Sequence, residues 1–332
     1  MIALLFLLTV WDHAYECDIT FAYDNNIFTY SREYIDDFMN HVQPYRFPFE
    51  TYDDLYTESD LDLRLRLKLF GNHTMTFNSG IRIRHYAINR QKDFQRLTVG
   101  VRQSFNSWAV KGSYHIVPGY LIRYYRDPLG TVTDYIPCKV AYHIFTGKIT
   151  LPMITVVSPA VIYRYSIDDY VEAFEIYDAR AHTMGVKTMI TLTKALMVDV
   201  SYDFKTSSLD RLVNIDGGTD EPIPDGAYYQ QKVAADIQIR GIAHLPVFLS
   251  LGYTYSFRNH RSEQPDDRMH YGRQDHNHTI SIETRIKIRA GLMFSVTYMH
   301  SVRETTSQVF PAIDMIKNYS KDRIGTGLHL YF

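Results

Sequence analysis

The sequence predicts an all-β chain forming a single transmembrane antiparallel up-and-down β-barrel of about fourteen strands, with twelve or sixteen as the alternatives. Three observations predict it. Apolar and polar residues alternate in segment after segment, which gives a strand one apolar and one polar face. The connections alternate between short turns and long polar loops, the pattern of a barrel threaded back and forth through a membrane. Aromatic residues on the apolar parity gather toward the strand ends, where a bilayer has its interfaces.

The elements follow in order. Leu61, Leu63, Leu65, Leu67 and Leu69 interleave with Asp62, Arg64, Arg66 and Lys68. After a Gly71-Asn72 turn, Phe77, Ile81 and Ile83 interleave with Asn78, Arg82 and Arg84. Leu97, Val99 and Val101 alternate with Thr98, Gly100 and Arg102. Residues 107–125, interrupted by Pro118-Gly119, and 135–165, with Pro137, Pro152 and Pro159, are less regular. Clean alternation returns at Leu196–Lys205, Lys232–Arg240, Leu249–Arg258, Ile280–Ile288 and Leu292–Tyr298. In the last strand Ile324, Leu328, Leu330 and Phe332 oppose Arg323, Gly325, Gly327, His329 and Tyr331.

Short turns are expected near 71–74, 106–107, 146–149, 193–195, 241–246 and 289–291. Longer connections are expected near 31–57, 87–94, 126–134, 166–178, 206–227, 261–275 and 304–319. The even count places both termini on the short-turn side. Strands of roughly 11–14 residues suit a tilted bilayer crossing. A soluble sandwich also alternates, but it turns its apolar faces inward and has no need of aromatic girdles. The expected girdle residues include Phe105, Trp108, Tyr202, Phe204, Tyr253, Tyr255, Phe257, Tyr298 and Phe332.

Composition agrees. The 332 residues include 27 Tyr and 18 Phe but 2 Trp, and Tyr and Phe favour strands. A net charge of -2 supplies no global basic field, so no nucleic-acid partner is expected. Cys17 and Cys138 make neither a disulfide framework nor a zinc spacing. The apolar run Ile2–Trp11 is too short to cross a bilayer as a helix. It reads as the core of an atypical export leader over 1–17, without a preceding Lys or Arg and without a small-x-small cleavage site. Ala14-Tyr15-Glu16-Cys17 is a poor lipidation signal. The barrel is then expected over 18–332 as one domain.

The final strand, with Leu328, Leu330 and Phe332 on one face and an aromatic terminus, resembles the closing strand of bacterial outer-membrane β-barrels. In those proteins the last amphipathic strand ending in Phe is the assembly signal. The resemblance implies a Gram-negative outer membrane, with its lipid, lipopolysaccharide included, and the barrel-assembly machinery as partners. Size and turn pattern are similar to monomeric 14-stranded porins. The fatty-acid transporters of that strand number carry an N-terminal plug, for which a barrel starting near Asp18 leaves no room.

If the apolar parity faces lipid, the other parity lines the lumen. That assigns Arg64, Arg66, Arg82, Arg84, Arg96, Arg102, Lys139, Arg164, Lys187, Lys232, Arg240, Arg285 and Lys287 to the pore, with Lys68, Lys111, Arg123, Lys205, Arg258, Arg303 and Arg323 beside them. Fewer acids share the parity: Asp24, Asp62, Asp199, Asp203, Asp236 and Glu283. The compensating acids fall in loops, among them Glu33, Asp36, Asp37, Glu50, Asp53, Asp54, Glu58 and Asp60 in the first, and Asp210, Asp216, Asp220, Glu221 and Asp225 in another. A slip of one residue would expose these cations to lipid at about 2–4 kcal/mol each near the midplane, which holds the register where alternation is clean.

A lumen lined with one sign of charge concentrates counter-ions. The expectation is a porin-like passive channel, anion-preferring, for small acidic solutes such as a uronate oligosaccharide or a carboxylate. A polar barrel wall needs such residues structurally too, since Arg makes good cross-strand partners. Two other readings stand beside it: a structural or adhesion barrel plugged by its own side chains, and an outer-membrane hydrolase with a site at the extracellular rim. For the latter, His260, His270, His276 and His278 lie near Asp266, Asp267 and Asp275, and a carboxylate–His pair can activate water. His276 and His278 share a strand face and could share a metal. A solvated polar loop accounts for the same residues, and GxSxG, P-loop and HExxH motifs are absent. No catalytic residue, cofactor or metal is therefore expected. His143 and His329 are expected in the inner wall, and Cys138 on the lipid side. Loop 31–57 carries Tyr34, Ile35, Phe38, Met39, Tyr45, Phe47 and Phe49, too apolar for solvent, and is expected either as a constriction or as a cover over the rim.

Overall fold

The computed structural model describes residues 10–69, 73–126, 135–209, 226–241, 246–263, 265 and 267–332. Fourteen strands run in chain order: β1 Val10–Asp24, β2 Asp54–Leu69, β3 His73–Tyr86, β4 Phe94–Ser104, β5 Ala109–Arg126, β6 Tyr135–Thr150 and β7 Val157–Tyr170. The second half comprises β8 Ala179–Thr191, β9 Leu196–Leu209, β10 Tyr228–Arg240, β11 Val247–His260, β12 Arg273–Arg289, β13 Leu292–Ser307 and β14 Tyr319–Tyr331. Each pairs antiparallel with its sequence neighbours, and β1 closes on β14 to complete the barrel. At the seam, Tyr15 N–H donates to the Phe332 carbonyl at 3.1 Å and Phe332 N–H returns a bond to Tyr15 at 3.0 Å. Closure leaves no unpaired edge, which a strand in a membrane requires. Among the described residues no helix is long and apolar enough to cross a membrane.

The two faces separate as alternation predicts. Phe21, Leu61, Val99, Val186, Ile237, Ile282, Ile324 and Leu328 are exposed on the outer surface. Asp24, Tyr56, Ser166, Thr183, Ser207, Ser256 and His329, on the other parity, are buried. Trp108, Tyr202, Phe204, Tyr253, Tyr298 and Phe332 lie exposed on the outer parity, as girdle residues would. Leu328 is likewise exposed and Leu330 shares its parity.

The strand boundaries differ from the sequence expectation in places. The turn placed at 146–149 lies instead at 151–156, because Thr146–Thr150 stay paired with β5 and β7 and the chain reverses only around Pro152. Strand β1 begins at Val10, before Asp18, and its first half pairs with β2 from Leu67 to Leu61. Its polar and apolar residues alternate too weakly between Asp12 and Cys17 to show this. The Pro118-Gly119 interruption does not split β5 but falls at a shift of register between Val117 and Tyr120, with a second between Leu121 and Arg123. Proline lacks the donor that a regular ladder needs, so a bulge is where a strand tolerates it. The expected Gly71-Asn72 turn lies outside the described residues. At the β12–β13 turn, Gly291 has a φ of +74°, and a Cβ there would meet the Tyr331 carbonyl.

Loop 25–53, joining β1 and β2, fills much of the mouth on the long-loop side. Ser31 caps helix α1 (Arg32–Met39) by accepting the Tyr34 N–H at 3.3 Å. Ile27, Phe28, Tyr30 and Phe47 are buried with Ala22, Tyr56, Tyr86 and Leu121 of the wall, and Phe38, Phe49 and Tyr52 pack against them. Phe28 and Phe49 stack at 4.2 Å. Tyr56 and Tyr86 are inward wall positions, so this loop packs inside the mouth rather than over the rim. A second short helix, α2 (Ile313–Lys317), belongs to the β13–β14 loop and buries Ile313.

Candidate functional site in the lumen

The register brings Arg64, Arg66, Arg82, Arg84, Arg96, Arg102, Arg164, Lys187, Lys232, Arg240, Arg285 and Lys287 to inward positions. Lys139 is the exception. In β6 Cys138 and Val140 are buried while Lys139 is exposed and shares the parity of exposed Phe145 and Ile149. Cys138 thus faces inward, and His143 faces outward, where its Nδ1 meets the Tyr114 hydroxyl at 2.7 Å. The expectation inverted here because near the filled mouth the interior wall itself is apolar, so apolar side chains no longer mark the lipid side. Lys148, which turns inward on β6, was missed because the sequence placed a turn at 146–149. His329 does face inward, between Asp18 at 2.8 Å and Ser295 at 2.9 Å.

The interior also holds more carboxylates than expected. Because β1 starts at Val10, Asp12, Glu16 and Asp18 join the inner wall. Glu58 and Asp60 belong to β2 rather than to the first loop, and they neutralise part of β3. Arg84 Nε donates to Glu58 at 2.8 Å, Arg82 pairs with Asp60, and Arg66 pairs with Asp12. Lys187 lies 3.2 Å from Asp199, and Arg285 Nε donates to Glu283 at 2.8 Å. The loop acids Asp210, Asp216, Asp220, Glu221 and Asp225 lie outside the described residues.

What remains is a separation of charge. Arg102 stands directly opposite Lys111, and Lys111 directly opposite Lys148, across β4, β5 and β6. None of the three forms an ion pair with a described carboxylate, and neither do Arg64, Arg96, Arg164, Lys232, Arg240 or Lys287. Across β1 and β2, Glu16 faces Asp62 and Asp18 faces Asp60. Like charges opposed in register destabilise a sheet. A cavity of about 820 Å³ is lined from both groups, by Glu16, Asp62, Arg64, Arg102 and Lys111. Gly80 makes room for the Asp62 side chain, since any Cβ there would strike its carboxylate.

Two cations hold the mouth loop. Arg123, on the bulged part of β5, donates from Nε to the Phe28 carbonyl at 2.8 Å and from Nη2 to the Thr29 carbonyl, and lies 4.7 Å over the Tyr30 ring. Lys92, from the β3–β4 loop, donates to Leu121 O at 2.7 Å and Tyr120 Oη at 3.0 Å, 5.1 Å from the Phe28 ring centre. Burial, and then the nearby Arg123, push Lys92 down to about 7. The sequence marked Arg123 as inward but gave no sign of Lys92, which sits in an ordinary polar loop.

The four histidines singled out for chemistry part company. His260 and His270 face the mouth: His260 Nε2 lies 3.3 Å from Asp275 and His270 Nδ1 3.0 Å from Asp267. His276 and His278 face outward, bound through Nδ1 to Tyr255 at 2.8 Å and Tyr253 at 2.9 Å. The described residues contain no cluster able to hold a metal ion, and Asp266 lies outside them.

This architecture, a closed barrel of fourteen antiparallel strands, is porin-like in fold. The outer membrane channel DcaP of Acinetobacter baumannii superposes with a TM-score of 0.53 at 10% identity, covering 97% of each chain. The anion-selective porin of Comamonas acidovorans gives a TM-score of 0.48 at 7% identity over 97% of this chain and 99% of that one. The outer membrane protein OpdK of Pseudomonas aeruginosa gives 0.47 at 8% identity over 98% and 100%. No family model matches the chain, and no curated protein matches it in sequence.

Proposed function

We propose that this barrel is a passive diffusion channel whose lumen prefers anions and passes small acidic solutes. The observation that carries the reading is the run Arg102–Lys111–Lys148, three cations in direct register without ion-pair partners among the described carboxylates. A wall that accepts such repulsion gains from a mobile anion that relieves it. The inner acids reduce the excess of positive charge without pairing with this run. The protein is not an enzyme in this reading, since inward His260, His270 and His329 are tied to carboxylates and His115 to the Thr98 hydroxyl.

The test is conductance. Refolded in detergent and inserted into a planar bilayer, the protein should conduct stably, and across a salt gradient its reversal potential should carry the anion sign. A reversal potential of the cation sign would overturn the preference, and silence from a folded barrel would overturn the open channel. Mouth packing by loop 25–53 favours the one competing reading, a plugged barrel, and the same silence would support it.

The C-terminal strand is proposed as the signal read by the barrel-assembly machinery in a membrane of lipid and lipopolysaccharide. Leu328 and Phe332 are exposed on the outer face, available to a partner during assembly. Phe332→Ala should lower the amount of folded barrel in the outer membrane by severalfold while leaving refolding in detergent unchanged, because Phe332 contributes its backbone to the seam and its ring to none of the buried core. Equal membrane yields of the two proteins would remove this role.

A further inference from the structure

The mouth encloses a second space, distinct from the basic run deeper in the lumen. A cavity of about 560 Å³ lies between loop 25–53, the turn Glu172–Tyr177 and α2. That volume falls within the range of small-molecule sites. Arg46, Arg123, Arg258, Arg273, Arg303 and Lys317 line it, and Asp168 is the carboxylate among its lining residues. The nearby Asp275 is already committed: it accepts from Arg273 Nε and Nη2 and from Thr305 Oγ1, each at 2.8 Å, and lies beside His260.

Arg258, which lines this space, has its Nε buried without a hydrogen-bond partner among the described residues. Buried polar groups are almost always paired, and an excess of buried cations is costly unless something neutralises it. Lys317 registers that excess. Burial, followed by Arg273, Arg123 and Arg303, lowers it to about 7, against a smaller opposing pull from Asp275. An anion placed among these cations would offset their mutual repulsion.

The walls narrow the chemistry. Tyr30, Tyr34, Tyr125, Tyr170, Tyr177 and Tyr228 border the same space. Each has a flat apolar face and a hydroxyl, with Arg123, Arg46 and Arg258 already lying over one side of Tyr30, Tyr34 and Tyr228. A plain aromatic acid would use the faces and leave the hydroxyls idle, and a bare inorganic anion would use neither. A saturated ring that bears hydroxyls and one carboxylate would use faces, hydroxyls and guanidinium groups together, the last as bidentate partners.

We propose that the mouth chamber is a binding site for sugar acids, with the carboxylate held by Arg258, Arg303 and Lys317 and the pyranose ring lying on the tyrosines. This deepens the channel reading, and rests on it for the solute's onward route.

Isothermal titration of the detergent-folded barrel at pH 7 with glucuronate, glucose, benzoate and inorganic phosphate tests it. Glucuronate should bind at least about tenfold more tightly than the other three. Binding should also take up protons, read as a dependence of the apparent enthalpy on the buffer's ionisation enthalpy, because a carboxylate beside Lys317 favours its charged form. Lys317→Gln should abolish that uptake and weaken glucuronate about tenfold, and Arg258→Gln should weaken it while the uptake persists. Lys148→Gln, deeper in the lumen, should leave the affinity unchanged and lower anion selectivity. No binding of glucuronate to folded protein, equal affinity for benzoate or phosphate, or undiminished proton uptake in folded Lys317→Gln would each overturn the proposal. Glucuronate binding by a barrel without anion-selective conductance would keep this site and overturn the channel. Anion-selective conductance without glucuronate binding would do the reverse.

Discussion

Replacing Lys111 and Lys148 together by Glu is expected to reverse the ion preference of the channel. The two residues are direct cross-strand neighbours, and Arg102 faces Lys111 from the other side. In the double variant Arg102 gains a carboxylate partner and is neutralised, while the second carboxylate stands free in the wall. Two charges change sign, a net shift of four units, beside a cavity that Lys111 lines together with Glu16 and Asp62. Focusing in a narrow, low-dielectric conduit makes such a change worth on the order of tenfold in the anion-to-cation permeability ratio, most clearly at low ionic strength. The reversal potential across a potassium chloride gradient should move from the anion to the cation sign. Lys139→Glu provides the control. Half that change of charge, placed on the outer face, should leave the reversal potential where it was. An unchanged potential in the folded double variant would place selectivity elsewhere, and a shift in Lys139→Glu would contradict the face assigned to that residue.

Removing the two cations that hold the mouth loop, with Arg123→Met and Lys92→Met, is expected to raise single-channel conductance. Arg123 binds the Phe28 and Thr29 carbonyls, and Lys92 ties the β3–β4 loop to the bulge of β5 beneath Phe28. Hydrogen bonds to charged groups contribute about 1.5–3 kcal/mol each. Their loss leaves the aromatic cluster as the main support of loop 25–53 and should free the entrance, for a rise of roughly twofold. Arg123→Met alone should give part of it. Conductance equal to the wild type would mean that the loop does not limit flow.

Lys92 also gives this packing a pH dependence. An exposed Lys stays charged to about 10.4, whereas Lys92 in the packed state titrates near 7. Between those values the released state binds more protons, so packing strengthens as pH rises and weakens as it falls toward 7. Protease nicking within loop 25–53 should slow as pH is raised from 7 to 9, after correction for the protease's own pH profile, and Lys92→Met should flatten that trend. A trend of the opposite sign would contradict burial as the dominant influence on Lys92.

The parts of the molecule legible in the sequence share one condition: one face of the strand meets lipid and the other meets water. There, alternation at period two reports direction without any knowledge of neighbours, so β2, β4, β9, β11 and β14 emerge with their faces correct, and the parity of Arg82, Arg102 and Lys187 with them. Near the mouth that condition fails. Cys138 and Val140 of β6 turn inward onto an apolar filling, and the proline-bearing bulge turns Tyr120, Leu121 and Arg123 toward it. The outward Tyr–His pairs were invisible for a related reason. Tyr163–His182 and Tyr253–His278 join different strands, and pairing across strands depends on register that no single segment encodes.

By itself, then, the sequence determined the class of fold, a strand number of about fourteen and which way most wall residues point, because lipid imposes a local demand on every second side chain. Only the tertiary structure decided where charge is left unpaired. Glu58 and Asp60 cancel Arg84 and Arg82 because β2 lies beside β3, whereas Arg102, Lys111 and Lys148 face one another with no ion pair to a described carboxylate. The mouth chamber likewise draws on loops and strands from both ends of the chain, including Tyr30, Arg123, Arg258 and Lys317. Electrostatic and hydrogen-bond balance are properties of contacts between distant segments, and those contacts exist only once the barrel has closed.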